Sequence, residues 1–175
     1  MLTWVHCVAF TTEESHEATK QYLSKHSQPY WVDILLEHLN DTPKDFEDFR
    51  LSIDEFLGLV LRRHPAQIFK IAPLLFDDST LYDGIMVLNY IETEAALPML
   101  VSLFERAPNF QEQEIVNLLD AVQSIGGEKA HQAFDKLCEI LSPRIQNSPI
   151  LQRTVNDAFD WEEIRGKLAA SELEK

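Results

Sequence analysis

Two Glu-x-x-His sequences are the first candidates for chemistry in this chain of 175 residues. Glu13 and His16 form one, and Glu128 and His131 form the other. On a helix this spacing places both side chains on one face, and paired copies bind two iron ions in long four-helix bundles. Here the surrounding helices are predicted to be short, and each pair falls in a first helical turn. We therefore predict surface or capping roles, with no metal site and no metal cofactor.

The two cysteines, Cys7 and Cys138, are the candidate nucleophiles. Neither cysteine has a His or a basic residue in a recognisable nucleophile arrangement. His6 is next to Cys7 in the sequence, but adjacent side chains point apart on a strand or a helix. Two cysteines do not make a disulfide framework, so we expect reduced thiols at core or boundary positions. Glycine-rich phosphate loops and Gly-x-Ser-x-Gly turns are also missing from the sequence. The prediction is a non-enzymatic protein with no catalytic residues and no cofactor.

The charge balance bounds the partners. Asp and Glu number 29 against 15 Lys and Arg, which gives a formal net charge of −14. Such a surface repels phosphate backbones, so we expect no nucleic-acid partner, whereas it attracts a basic protein and speeds the encounter. Simple solubility explains the same charge. The longest apolar run, Phe56 to Leu61, is too short to span a bilayer, and no signal peptide is evident. We expect no membrane partner and a cytoplasmic location.

Helical periodicity dominates the chain, and five glycines with scarce alternation favour an all-α protein. Ala18, Tyr22 and Leu23 are predicted to face inward on the first helix. The long helix after Pro43 is predicted to bury a stripe that begins at Phe46 and Phe49. The inward positions predicted for the helices after Pro65 are Ile68, Ile71, Leu74, Leu75, Leu81, Ile85, Leu88, Ile91, Leu97, Leu100, Ile115, Leu118, Val122, Ile125, Ala130, Phe134, Leu137 and Leu141.

Capping residues, glycines and prolines indicate where the predicted helices begin and end. Thr11 with Glu14, and Asn109 with Glu112, have the spacing of helix N-caps. Gly126-Gly127 is predicted to end a helix, since glycine tolerates the left-handed turn found there. Two Ser-Pro pairs, at 142–143 and 148–149, are predicted to bracket a loop. Residues 1–10 are ambiguous, and Trp161 is predicted to begin a last amphipathic helix.

Helix pairs recur every 30 to 36 residues, starting near Pro29, Pro65, Ala95 and Glu128. Tyr90–Ala96 aligns with Ser124–Ala130 at one fixed offset. The pattern resembles the HEAT-repeat family, which has a proline-tolerant first helix, a leucine pair, an acidic hinge and a second helix ending in Ile-Gly. The segments that carry the resemblance, over about residues 29–159, are Leu74-Leu75-Phe76-Asp77-Asp78-Ser79 and Leu119-Asp120-Ala121-Val122-Gln123-Ser124-Ile125-Gly126-Gly127. The arginine common early in the family's second helix is absent, so a regular arginine–aspartate ladder is not expected.

The resemblance implies one HEAT-like α-α superhelix of four to five helix pairs. Residues 1–28 would form an N-terminal cap, residues 29–159 the repeats and residues 160–175 a C-terminal helix. Stacked pairs of this kind share a continuous core and need end caps. HEAT arrays are typically binding scaffolds whose second helices line a concave face, and the resemblance implies the same here.

The exposed stripes of the predicted second helices supply the candidate binding site. Asp45, Asp48, Ser52 and Glu55 share one stripe, and the equivalent stripes are Ser79, Asp83, Met86 and Tyr90, then Gln113, Asn117, Asp120 and Ser124. Stacked, they predict an acidic groove with an apolar and an aromatic anchor. A plain solvated face is the alternative. The predicted partner-binding residues are Asp48, Glu55, Asp83, Met86, Tyr90, Asn117, Asp120 and Ser124.

The function predicted from these features is protein binding through an acidic concave face. Its most concrete form is a bacterial immunity- or inhibitor-type protein that neutralises a basic toxin, as a monomer or weak dimer. An adaptor or assembly-chaperone subunit would explain the same features. So would an enzyme on a HEAT scaffold, either lyase-like or of the di-iron type, although di-iron enzymes of that type use repeated His-Glu pairs and this chain has only His16-Glu17.

Overall fold

The computed structural model describes residues 13–158, and these are all-α, with no strand in that range. The predictions for residues 1–10, for the Thr11 cap and for the Trp161 helix lie outside it. Short 3-10 helices occupy Pro65–Ile71, Glu94–Ala96 and Ala107–Asn109. The α-helices are α1 (Glu13–His26), α2 (Trp31–Asp41), α3 (Glu47–Arg63), α4 (Ala72–Phe76), α5 (Leu81–Ile91), α6 (Leu97–Ser102), α7 (Glu112–Ile125) and α8 (Gly127–Asn147), followed by helical residues 149–158 as α9.

Two compact units divide the chain, Met1–Ala96 and Leu97–Lys175. In the first unit α1, α3 and α5 run parallel, with α3 packed between the other two. The contacting residues advance together along each pair of helices: His16–Glu55 and Ser24–Arg63 for α1 with α3, then Arg50–Asp83 and Arg62–Ile91 for α3 with α5. Helix α2 and the segment 65–76 supply the alternate helices, and Lys70 bonds Asp33 between them. Parallel equivalent helices are what stacked helix pairs produce.

The core of the first unit confirms the predicted apolar stripes around the Asp77–Ser79 hinge. Ile68, Ile71, Leu74 and Leu75 are buried, as are the inward positions of α5, namely Leu81, Ile85, Leu88 and Ile91. Pro73 does not kink a single helix: it lies in the first turn of α4, where a proline removes no helical hydrogen bond. Residues 65–76 therefore form a 3-10 segment followed by a short α-helix.

Close helix packing in this unit depends on a glycine. A Cβ on Gly58 of α3 would lie 2.4 Å from the Cβ of Tyr90 on α5. No side chain fits that gap, so the glycine brings the two helix backbones together at this level. The row on α3 that ends at Gly58 also contains Arg50 and Asp54, each one helical turn apart.

The second unit repeats the parallel arrangement with α7 and α9. Ser148 bonds Glu112 at one end of this pair, and Gln123 donates to the Ala158 carbonyl at the other. Leu118 and Val122 are buried as predicted, together with Ala130, Phe134, Leu137 and Leu141 of α8, whereas Ile125 is half-buried. Gly126 and Gly127 both have positive φ, which confirms the glycine helix end.

Four sequence predictions are wrong in detail. Ala18 and Tyr22 of α1 are exposed. Phe46 is 58% exposed, because the inward stripe of α3 begins at Arg50 rather than at an aromatic residue. The α7 capping box uses Gln111 and Glu114 instead of Asn109 and Glu112. Helix α8 runs through Pro143 to Asn147, so no loop opens at the first Ser-Pro pair.

Within residues 13–158, every helix is too short or too polar to cross a lipid bilayer.

Candidate functional site

The predicted partner-binding residues of the first unit lie along the packed helices α3 and α5. Asp48 is exposed in the first turn of α3, and Glu55 is half-buried two turns later. On α5, Met86 and Tyr90 are half-buried, one turn apart. The structure therefore brings these four residues onto two adjacent helices, which we call the α3/α5 face.

Asp83 corrects the prediction of an exposed acid, because it is only 7% exposed and is paired with Arg50. Arg50 Nη2 lies 2.6 Å from Asp83 Oδ2, and Nε lies 3.2 Å from Oδ1. The other guanidinium nitrogen donates to the Leu39 and Thr42 carbonyls at 2.8 and 2.6 Å. This bidentate pair joins α3, α5 and the end of α2, so Asp83 holds helices together rather than offering a free charge.

Asp54 lies one turn beyond Arg50 and is fully buried. Neither carboxyl oxygen has a hydrogen-bond partner among residues 13–158. Burial raises the pKa of Asp54 from an ordinary 3.8 to about 9; the negative charge of Asp83 adds to the rise and Arg50 opposes it. The carboxyl is therefore neutral at pH 7, and it lies one helical turn from the Arg50–Asp83 ion pair.

The negative charge of Glu55 is also compensated by side chains of α1. Its two oxygens lie 2.7 Å from His16 Nε2 and 2.7 Å from Lys20 Nζ, both on α1. The hydrogen bond to Glu55 raises the pKa of Lys20. Burial, with the nearby negative charge of Glu55, raises the pKa of Tyr90. Charges therefore cancel in this part of the α3/α5 face, contrary to a uniformly acidic groove.

A cleft of about 380 Å³ opens where the first turns of α3 and α5 meet the hinge between α4 and α5. Lys44 donates to the Ser79 carbonyl, which ties the loop before α3 to the hinge. The residues that line the cleft are Lys44, Glu47, Arg50, Leu51, Ser79, Tyr82 and Asp83. Glu47 has no hydrogen-bond or ion-pair partner among residues 13–158, so its carboxylate is the free charge of the cleft.

The second unit contains the remaining predicted residues, all on α7. Asn117 is 7% exposed and accepts a hydrogen bond from Gln113, so its predicted surface position is wrong. Asp120 and Ser124 are half-buried; burial raises the pKa of Asp120, and Ser124 donates to the Ala121 carbonyl one turn back. None of the three predicted partner-binding residues on α7 is therefore fully exposed.

The candidate chemical groups have ordinary structural surroundings. His16 forms a hydrogen bond with Glu55 and packs against Phe56, with the two rings tilted and their centroids 4.9 Å apart. His131 lies 3.9 Å from Asp135 on its own helix. Burial, with the nearby Asp135 charge, raises the pKa of the Cys138 thiol to about 11, which makes the thiolate scarce at pH 7. In residues 13–158, no three His, Cys, Asp or Glu side chains converge in a way that could hold a metal ion.

Sequence reasoning missed Arg50 and Asp54, although a signal for both exists. They fall in the inward helical phase of Leu57 and Leu61, at spacings of three and four residues. Opposite charges in the apolar phase of a helix indicate a buried polar interaction, because a lone buried charge is costly. The acceptor Asp83 lies on another helix, so the sequence alone does not identify it.

Comparisons with protein-family models, with curated proteins and with solved structures found no match to this chain.

Proposed function

We propose that this chain is a non-enzymatic, HEAT-like helical-repeat module that binds a basic protein. The parallel order of α1, α3 and α5, with α2 and residues 65–76 as alternate helices, supports a repeat scaffold. The net charge of −14 supports a basic partner, since long-range attraction speeds association with a positively charged surface.

One observation carries the proposal: unpaired carboxylates lie beside exposed aromatic rings at the start of α3. Asp45, Glu47 and Asp48 are exposed and have no side-chain partner among residues 13–158. Phe46, between them, is 58% exposed, and Tyr82 of α5 is 38% exposed at the neighbouring cleft. Large aromatic side chains with steering charges around them are the composition of binding hot spots. We call Asp45–Asp48 with Tyr82 the acidic-aromatic end.

This surface differs from the acidic groove predicted from the sequence. Asp83 and Glu55 are neutralised by Arg50 and by Lys20 with His16, so they contribute little net charge to a partner. Asp48 keeps its predicted role, and Met86 and Tyr90 would extend the contact along the α3/α5 face.

The most concrete version is a bacterial, cytoplasmic immunity- or inhibitor-type protein that neutralises a basic toxin. An adaptor or assembly chaperone would use the same surface on a partner that is not toxic. The identity of the captured protein separates the two, as does a toxin domain encoded by the neighbouring gene.

Affinity capture from the native host at low salt tests the proposal. The tagged chain should retain a basic protein, and the Glu47→Lys/Asp48→Lys variant should lose it because both steering charges are reversed. Glu128→Lys/Glu139→Lys, an equal charge change on exposed positions of α8, is the matched control and should keep it. Equal retention by both variants would remove this surface from the proposal, and an acidic or absent partner would remove the proposal itself.

A further inference from the structure

We propose that the cleft at the acidic-aromatic end is a pocket for an arginine side chain of the bound protein. This inference rests on the proposed function, and it identifies the chemical group that the partner inserts. The cleft measures about 380 Å³ and lies within the first compact unit, between the first turns of α3 and α5.

The cations that line the cleft are already engaged. Arg50 directs its guanidinium nitrogens to Asp83 and to the Leu39 and Thr42 carbonyls, at distances from 2.6 to 3.2 Å. Lys44 donates to the Ser79 carbonyl. Arg50 therefore keeps one unused N–H group and Lys44 two, and an anionic ligand that used them would face the free Glu47 carboxylate. The cleft suits a cation better.

Acceptors in the cleft remain available. Glu47 has a free carboxylate among the described residues, at the rim. Asp83 accepts one bond on each oxygen from Arg50, and each carboxylate oxygen has a second lone pair. The free Glu47 carboxylate can accept two N–H groups of one planar donor.

The remaining lining favours guanidinium over ammonium. Tyr82 contributes an aromatic ring and Leu51 an aliphatic side chain. A guanidinium stacks on an aromatic face and bonds a carboxylate through two nitrogens, whereas a lysine ammonium is a compact, strongly hydrated charge. Leu51 would contact the methylene stem of the arginine, as apolar surfaces commonly do with long cationic side chains.

Nuclear magnetic resonance titration of the full ¹⁵N-labelled chain tests the pocket without knowledge of the partner. The probes are N-acetyl-arginine amide, N-acetyl-lysine amide and inorganic phosphate. The arginine probe should shift the amide signals of Leu51, Ser79 and Tyr82 in a saturable way, and the lysine probe should bind at least about threefold more weakly. Equal binding of the lysine probe, or preferential binding of phosphate, would overturn the assignment.

Three substitutions separate pocket contacts from folding. Glu47→Gln, at an exposed position, should weaken arginine binding about tenfold, because it replaces a charge-assisted bond by a neutral one. Tyr82→Phe keeps the ring and should retain binding, whereas Tyr82→Ala should lose it. Unchanged affinity in Glu47→Gln, with a wild-type circular dichroism spectrum, would contradict the pocket.

The pocket and the proposed function fail in different ways. If the arginine probe binds but no basic protein is captured, the pocket stands and the partner proposal fails. If a basic protein is captured with the same affinity by wild type and Glu47→Gln, the pocket is overturned while the binding function remains.

Discussion

Asp54 gives a quantitative test of the α3/α5 interface through the substitution Asp54→Asn. The folded pKa is about 9, against 3.8 in the unfolded chain, so the unfolded state loses its proton first as the pH rises. Stability due to this group is therefore fully present below about pH 4 and falls by about 1.4 kcal/mol per pH unit towards pH 9. The substituted asparagine would be neutral at every pH, so the variant would lack that slope. The free energy of unfolding of the variant, minus that of wild type, should rise by about 4 kcal/mol between pH 5 and pH 8.

Urea unfolding followed by circular dichroism, repeated at half-unit pH intervals, measures this difference. All other titrating groups are common to both proteins and cancel to first order. Asp48→Asn, an exposed acid on the same helix, is the control and should show a flat difference. A flat difference for Asp54→Asn as well would mean that Asp54 is ionised in the folded protein, and the reasoning about an unpaired buried carboxyl would be wrong.

Two further substitutions test the same interface. Arg50→Leu leaves Asp83 buried without its partner and should lower the free energy of unfolding in urea by about 3–5 kcal/mol. Asp33→Asn, at the exposed Lys70 pair, is the control and should lower it by less than about 1 kcal/mol. Equal losses would contradict the role of the buried Arg50–Asp83 pair. Gly58→Ala should destabilise by about 1–3 kcal/mol because the new Cβ meets Tyr90 at 2.4 Å, although alanine ordinarily stabilises a helix interior, so a raised melting temperature would refute the close approach.

The apolar periodicity predicted much of the fold. Leu74, Leu75, Ile85 and Leu88 are buried as expected, because apolar residues that recur at the helical period share the face that packs inward. Boundaries were less predictable. Cap spacings occur twice near the start of α7, and only packing selects Gln111 over the pair two residues earlier.

The candidate site was less predictable than the core for a physical reason. Whether an acid such as Asp83 is free depends on a cation 33 residues away in sequence, and no local pattern encodes that distance. Asn117 was misplaced for another reason: its Oδ1 accepts a hydrogen bond from Gln113, one turn back, but its buried Nδ2 has no partner among residues 13–158, and a polar residue type gives no signal of such burial. The exposed charges at Asp48 and Glu47 needed no such partner, and for that reason local reasoning placed Asp48 on the surface.

Arg62 joins the ends of two helices and so affects how the first unit opens. From the last turn of α3 it donates to the Tyr90 and Ile91 carbonyls at 2.8 and 3.1 Å, and it pairs with Glu92 at 2.7 Å. A helix end normally frays because its last carbonyls have only water as a partner. Here the last turn of α5 cannot unwind unless the end of α3 releases it. The amide hydrogens of both ends should therefore exchange with solvent as a single cooperative group, slowly and at one common rate.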